Sequence, residues 1–244
     1  MSKTIVITGA GAGLGRALAR RLAADGDDVV LLGRTPAKVE KVAAEIGPRA
    51  MAVGCDVASP QSVAAAFKAI AARHPRIDVL INNAAVYEPF LVAEASDEQI
   101  LKIIATNLTG PILCARAAIP LMHSGGHIMN LSSESVELPF PHLSLYQCSK
   151  AGLERFSQAL EQELAPEGIR VTTVRAGQMM DAEKTWDIDP KAAARFGAAA
   201  TAVGLNLRER PISQFTSVTH IFRALIDLPP DLQAGSVVLR ARKP

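Results

Sequence analysis

The sequence is poor in cysteine, in aromatic side chains and in surplus charge. Its three cysteines, Cys55, Cys114 and Cys148, are odd in number and show no C-x-x-C spacing, which argues against a disulfide framework and a cysteine zinc site. The formal charge is only +2, and the basic residues are dispersed apart from short clusters such as Arg20-Arg21 and residues 240–243, so no nucleic-acid footprint is present. There is no run of about 18 apolar residues, and the apolar stretch at residues 4–8 is too short for a signal-peptide core. A soluble, cytoplasmic protein with no membrane partner is expected. His123 and His127 flank Gly125-Gly126, which breaks any helix, and no carboxylate is spaced to complete a site, so no metal is expected. No G-K-[ST] occurs, which removes a P-loop phosphotransferase.

What is present is small and aliphatic. Apolar residues make up 49% of the 244 residues while aromatics make up 4%, a balance that suits helices layered on a parallel sheet. The length fits a single α/β domain over residues 1–244. Strand-like runs at residues 5–7, 29–32, 50–54, 77–81, 127–131, 169–175 and 236–239 alternate with helical patterns. Thr35-Pro36, Ser59-Pro60 and Ser96-Asp97-Glu98 read as helix starts, the last opening a long helix to about residue 122. Residues 178–210 carry no clear strand signal and read as a substrate lid.

The ends of the predicted strands carry the chemistry. After the first comes Thr8-Gly9-Ala10-Gly11-Ala12-Gly13-Leu14-Gly15 and then a helix, a turn whose missing Cβ atoms let a diphosphate reach backbone N–H groups. A purely structural turn is the alternative. The second strand ends at Arg34 rather than at a carboxylate, which favours the 2′-phosphate of NADP over NAD, unless Arg34 is merely an exposed loop residue. Asp27 and Asp28 precede that strand and read as a solvated turn. Asp56 with Val57 follows the third strand, and Asp56 either accepts from an adenine amino group or caps the next helix. Asn82-Asn83-Ala84-Ala85 follows the fourth, with small residues for close approach and amides to tie strand ends together. Asn107 sits mid-helix, a costly place that suggests a kink or a held water.

Tyr146 and Lys150 are four apart, one helical turn, so the phenol and the ammonium share a face. A phenol of pKa about 10 needs a shift of roughly three units, about 4 kcal/mol, to move protons near neutrality. One positive charge about 4 Å away at an effective dielectric of about 20 supplies energy of that size. Taken alone, the pair reads equally as a core tyrosine and a solvated lysine. Ser133 ends the fifth strand thirteen residues earlier, and the intervening loop is long enough to bring it to Tyr146. Tyr87, Glu88, Glu134, Phe140, His142, Met179, Met180 and Trp186 are candidate pocket lining, with Glu134 facing either a polar substrate or solvent.

Taken in order, these motifs resemble the short-chain dehydrogenase/reductase family in its compact single-domain form: T-G-x-x-x-G-x-G at residues 8–15, Asp56-Val57, Asn82-Asn83-Ala84-Ala85, Asn107, Ser133 and Tyr146-x-x-x-Lys150. The resemblance implies a Rossmann-like doubly wound, seven-stranded, mostly parallel sheet with helices on both faces. It implies NAD(P) as coenzyme, with Arg34 favouring NADP over NAD, bound by Gly9, Gly11, Gly13, Leu14, Gly15, Arg34, Asp56, Val57, Asn83, Ala84, Tyr146, Lys150 and Gly177. It also implies interconversion of a small-molecule carbonyl and alcohol. In that scheme Tyr146 moves the proton, Ser133 fixes the oxygen, Lys150 binds the ribose and lowers the Tyr146 pKa, and Asn107 holds a relay water. A homodimer or homotetramer is implied as well, although Val237-Val238-Leu239-Arg240 departs from the usual C-terminal ending. Ala85, Ala176 and Asp181 stand where the family commonly has glycine, proline and threonine. A sensor or structural subunit of the same fold, without turnover, is the alternative function.

Overall fold

The computed structural model describes residues 2–181 and 188–243, so Trp186 lies outside the described residues. Successive residues of β1 (Thr4–Thr8) point to opposite faces: Ile5 and Ile7 enter one apolar cluster and Val6 the other. A strand apolar on both faces needs helices above and below it, and β1 has them. With it lie β2 (Asp28–Gly33), β3 (Ala50–Gly54), β4 (Val79–Asn82), β5 (His127–Ser133) and β6 (Arg170–Ala176). Two further strands, β7 (Met179–Met180) and β8 (Ser213–Gln214), pair only with each other, and β9 (Ser236–Leu239) closes the main sheet. The order is β3-β2-β1-β4-β5-β6-β9, and every pairing is parallel.

Over one face lie α1 (Gly13–Ala24), α2 (Pro36–Ile46) and α8 (Phe215–Ile226), whose Leu18, Leu22, Val39 and Phe222 cover Ile5, Ile7 and Leu31. Over the other lie α3 (Pro60–Arg73), α5 (Gly110–Ala118) and α6 (Ser144–Leu164), whose Phe67, Ile70, Leu113 and Leu160 cover Val6, Leu80 and Ile128. Pro36 and Pro60 occupy first-turn positions as expected. Ser59 caps α3 by accepting from the Ser62 N–H at 3.2 Å, while Thr35 forms no side-chain cap. A reciprocal Ser96–Gln99 capping box starts α4 (Asp97–Ile104).

The long helix expected here is broken by a π-helical turn at Ala105–Thr109. The α-helical donor for the Asn107 carbonyl would be residue 111, a proline with no N–H, and the chain widens so that Gly110 N–H bonds to Ala105 O. Residues 97–121 have the length and apolar character of a membrane span, but half of that stretch is buried within the domain, as in a core helix.

Two expectations need correction. The lid region is not without structure: β7 pairs with β8 at its base, and α7 (Pro190–Ala202) lies between them. Asp189 caps α7, its Oδ1 accepting from Ala192 N–H at 2.9 Å, a start signal hidden by an alanine-rich run with little apolar periodicity. Asp27 is not in a solvated turn either. It is buried, accepts from Lys3 N–H at 3.0 Å and pairs with Arg223 at 2.5 Å.

His127 opens β5 fully buried. Thr172 Oγ1 donates to the Ala234 carbonyl at 2.7 Å, so it must accept from His127 Nε2, also at 2.7 Å. The tautomer is thereby fixed, with Nδ1 unprotonated and unpartnered. A proton on Nδ1 would place a charge in a dry site, and burial, with Arg170 nearby, pulls the imidazole pKa down to about 3. The unfolded chain therefore binds a proton that the folded one refuses between about pH 6.5 and 3, and stability falls as pH drops through that window. Acidification from pH 6.5 to 5 is expected to cost about 2 kcal/mol through this residue. Urea unfolding of the wild type and of His127→Gln at both pH values checks this, and equal pH slopes would place the titration elsewhere.

Candidate active site

The chain's connections change direction at β1, between β2 and β4, where the carboxyl ends of the strands part and leave a cleft of about 480 Å³. Gly9, Gly13 and Leu14 line it from the glycine-rich turn, Arg34 from the end of β2, Asp56 and Val57 from the end of β3, and Asn83 and Ala84 from the end of β4. Thr106 and Phe215, not anticipated from sequence, complete the wall. Gly11 and Gly15 support the turn from behind. A Cβ on Gly15 would lie 2.4 Å from the Gly9 carbonyl oxygen and 2.6 Å from Asn83 Nδ2. Gly9 itself has φ +68° and packs against Ala84.

Thr8 Oγ1 accepts from the N–H groups of Asn83 and Ala84, each at 3.0 Å, and Asn83 Nδ2 donates to the Thr8 carbonyl at 2.9 Å. Asn82 Nδ2 donates to Asn130 Oδ1 at 2.9 Å, so the asparagines tie strand ends together as expected. Asp56 does not cap α3, which is the task of Ser59. Its Oδ1 accepts from Ala58 N–H at 3.0 Å within the turn that faces the cleft. The first turn of α1 has no side-chain cap, so its positive end is turned to the glycine cradle. The glycine turn and the residues at the ends of β2, β3 and β4 fit a dinucleotide. Lys38, exposed in the first turn of α2, packs beside Gly11: a Cβ there would lie 2.9 Å from Lys38 Cβ.

A second cluster lies beyond β5. Ser133 comes near the Tyr146 phenol from across the intervening loop, close enough to favour its anion. Lys150 is buried one helical turn on, donates to the Leu131 carbonyl at 2.7 Å and lies 5.9 Å from the Tyr146 ring centroid. Among protein groups alone, burial raises the Tyr146 pKa, the nearby Ser133 hydroxyl opposes it, and Glu134 adds to the rise. Burial lowers Lys150 to about 8. In the protein alone, burial thus raises Tyr146 and lowers Lys150.

Asn107 is fully buried. Its Nδ2 donates to the Val86 carbonyl at 2.9 Å and to Ser149 Oγ at 3.2 Å, and its Oδ1 accepts from Val86 N–H at 2.8 Å. Both amide donors are thus committed, and the side chain ties the loop after β4 to α6 rather than offering a donor to a water. Gly177 follows β6, bonds through its N–H to the Leu239 carbonyl at 2.9 Å, and backs Glu134 rather than lining the cleft. Asp181 pairs with Arg16 of α1 at 3.5 Å.

Behind the cluster, Glu154 lies one turn past Lys150 on α6. It accepts from Ser132 Oγ at 2.6 Å and from Arg175 at 2.6 and 2.9 Å, joining α6 to β5 and β6. Of the anticipated pocket residues, Tyr87 and Phe140 gather near Tyr146, while Glu88 turns away to Gln99 and Lys102. Glu134 is buried and paired with Arg210 at 2.5 Å, neither solvent-facing nor unopposed. Among the described residues, no three potential metal ligands gather.

A nucleotide-sized cleft at the carboxyl ends of β1 to β4, with a serine, a phenol and an ammonium at the carboxyl end of β5, suits a dinucleotide-dependent oxidoreductase. The family model for short chain dehydrogenase matches residues 3–192. The 3beta-hydroxysteroid dehydrogenase 1 of Eggerthella lenta is 35% identical over 78% of this chain and 77% of its own. Carbonyl reductase family member 4 of Danio rerio is 32% identical over 80% and 83%, respectively. A solved short-chain dehydrogenase from Streptomyces avermitilis superposes with a TM-score of 0.85 at 26% identity, covering 98% of this chain and 88% of that one. The chain belongs to the short-chain dehydrogenase/reductase family, whose members bind NAD(P) and act on small molecules.

Proposed function

We propose that the protein is an NADP(H)-dependent oxidoreductase that interconverts a carbonyl and a secondary alcohol. The observation that carries this reading is the gathering of Ser133, Tyr146 and Lys150 at the end of β5, on the same carboxyl edge of the sheet as the coenzyme cleft. Bound NADP(H) would supply or accept the hydride. Ser133 Oγ holds the substrate oxygen, and the Tyr146 hydroxyl gives it a proton in reduction and takes one in oxidation. Lys150 presents its ammonium to the phenol and to the coenzyme ribose. Asn107 acts as a positioning residue through Ser149 and the loop after β4, and Glu154 holds α6 in register with β5. Arg34 and Lys38, with no acid at the end of β2, support selection of the 2′-phosphate. We read the assembly as a homodimer or homotetramer, with exposed Leu101 and Ile112 on α4 and α5 as contact surface. Light scattering measures its size.

Titration with both coenzymes tests the preference. NADPH is expected to bind more tightly than NADH, and Arg34→Ala to weaken NADPH by about tenfold, roughly 1.4 kcal/mol, while sparing NADH. Tighter NADH binding in the wild type would overturn the assignment to NADP.

A further inference from the structure

Above Tyr146 lies a third apolar cluster, separate from the two that hold the sheet. Its members come from three places: Tyr87 from the loop after β4, Phe140 and Leu143 from the loop before α6, and Phe196 from α7, with Leu205 and Leu207 beyond. Tyr87 stands edge-on to the Tyr146 ring at 5.3 Å and 80°. Phe196 meets Tyr87 edge-on at 6.2 Å and lies tilted over Phe140 at 6.4 Å. These separations are those of favourable aromatic pairs.

Two of the walls are fixed. Gln147 of α6 donates to the Phe140 carbonyl at 2.5 Å, and Phe90 N–H bonds to the His142 carbonyl at 2.8 Å. Phe196 is different, because it rides on α7. That helix is fastened outside the cluster by Arg195, which grips Glu94 with two bonds of 2.8 and 3.0 Å at an exposed site. Phe196 is thus the wall carried by a helix whose Arg195–Glu94 anchor is exposed.

Charge at this site is already balanced. Glu134, next to Ser133, pairs with Arg210, whose guanidinium lies 5.1 Å over the Phe140 ring. A charged substrate would have to take one partner from the other and leave a poorly solvated charge without its counterion.

We propose that the carbonyl substrate is uncharged and carries a flat apolar ring beside its reacting carbon, held between Tyr87, Phe140 and the Phe196 that α7 brings down on it. The inference rests on the carbonyl–alcohol reading above. It adds Phe196 and the neutralised Glu134–Arg210 pair as the determinants of substrate choice. The carbonyl oxygen sits at Ser133 and Tyr146, so the ring beside it falls at the edge of Tyr87.

The test uses the whole protein with NADPH and three ketones: acetophenone, its anionic relative 4-acetylbenzoate, and the ringless 2-butanone. Acetophenone is expected to exceed each of the others in kcat/KM by about tenfold or more, the size of one aromatic contact set or one broken ion pair. Phe196→Ala is expected to lower the acetophenone to 2-butanone ratio by about tenfold. NADPH affinity and the melting temperature report whether that variant is folded. If it is not, Phe196→Leu keeps the apolar volume, and the ratio should fall in the same direction. Equal or better turnover of 4-acetylbenzoate overturns the exclusion of charge, equal or better turnover of 2-butanone overturns the ring preference, and either result leaves carbonyl reduction standing. NADPH that binds but is oxidised by none of the three removes the carbonyl reading and this inference with it.

Discussion

Tyr146→Phe is expected to lower kcat for carbonyl reduction by about 10³-fold, within the span of general acid catalysis. The ring, its edge contact with Tyr87 and its place on α6 all survive the change, so only the hydroxyl near Ser133 is lost. Steady-state kinetics on a substrate turned over by the wild type measures the effect, and a loss below tenfold would remove Tyr146 as proton donor. The direction of its pKa adds a sign. Burial raises it, so the phenol keeps its proton through neutral pH and remains a donor for reduction. Oxidation needs the phenolate and should therefore gain as pH rises. Nearly pH-independent reduction from pH 6 to 8, with oxidation rising over the same range, is the expected pair of profiles.

Gly15→Ala should be almost as damaging at the other end of the cleft. The new methyl would have to share space with the Gly9 carbonyl oxygen and with the Asn83 amide, neither of which is a loose side-chain tip. Asn83 is held to Thr8, and Gly9 to Ala84, so yielding at any point displaces the turn that cradles the diphosphate. Coenzyme affinity is expected to fall by about 100-fold, roughly 2.7 kcal/mol, with destabilisation of about 1–3 kcal/mol from overpacking. Gly197→Ala provides the contrast, because nothing lies within 4 Å of its added methyl and the residue is inside α7. It should stabilise slightly, by up to about 1 kcal/mol. Calorimetric titration with NADPH and thermal unfolding separate the two variants, and wild-type affinity in Gly15→Ala would show that the cradle tolerates a side chain.

What the sequence made legible was whatever depends on neighbours along the chain. The glycine turn, the proline and serine helix starts and the four-residue spacing of Tyr146 and Lys150 are local, and the sheet follows from apolar runs too short for helices. Even Ser133 was within reach, because a loop of fixed length bounds where it can go. Pairings across long separations left no such trace. Glu134 and Arg210 are 76 residues apart, and Asp27 and Arg223 are 196 apart, so nothing in either local stretch announces a partner. The α7 helix escaped notice because alanine gives helical propensity without the apolar stripe that marks a face. Asn107 was flagged by its propensity cost, but the proline that opens the π turn four residues later is what explains it. The Coulomb estimate for Tyr146 and Lys150 counts the attraction and not the burial, which only the fold reveals.

The small pairing of Met179 with Ser213 and Met180 with Gln214 has a thermodynamic meaning. It brings together the two points from which the chain departs toward α7 and to which it returns, at the spacing of adjacent strands. Most of the loop-closure entropy is therefore surrendered before α7 docks, and docking has only the orientation of a tethered helix left to restrict. The Arg195–Glu94 grip and the Phe196 contacts are few, and on a free arm they would hold little. On a tether closed at its base, the contacts described hold α7 beside Tyr87 and Phe140 at little further entropic cost.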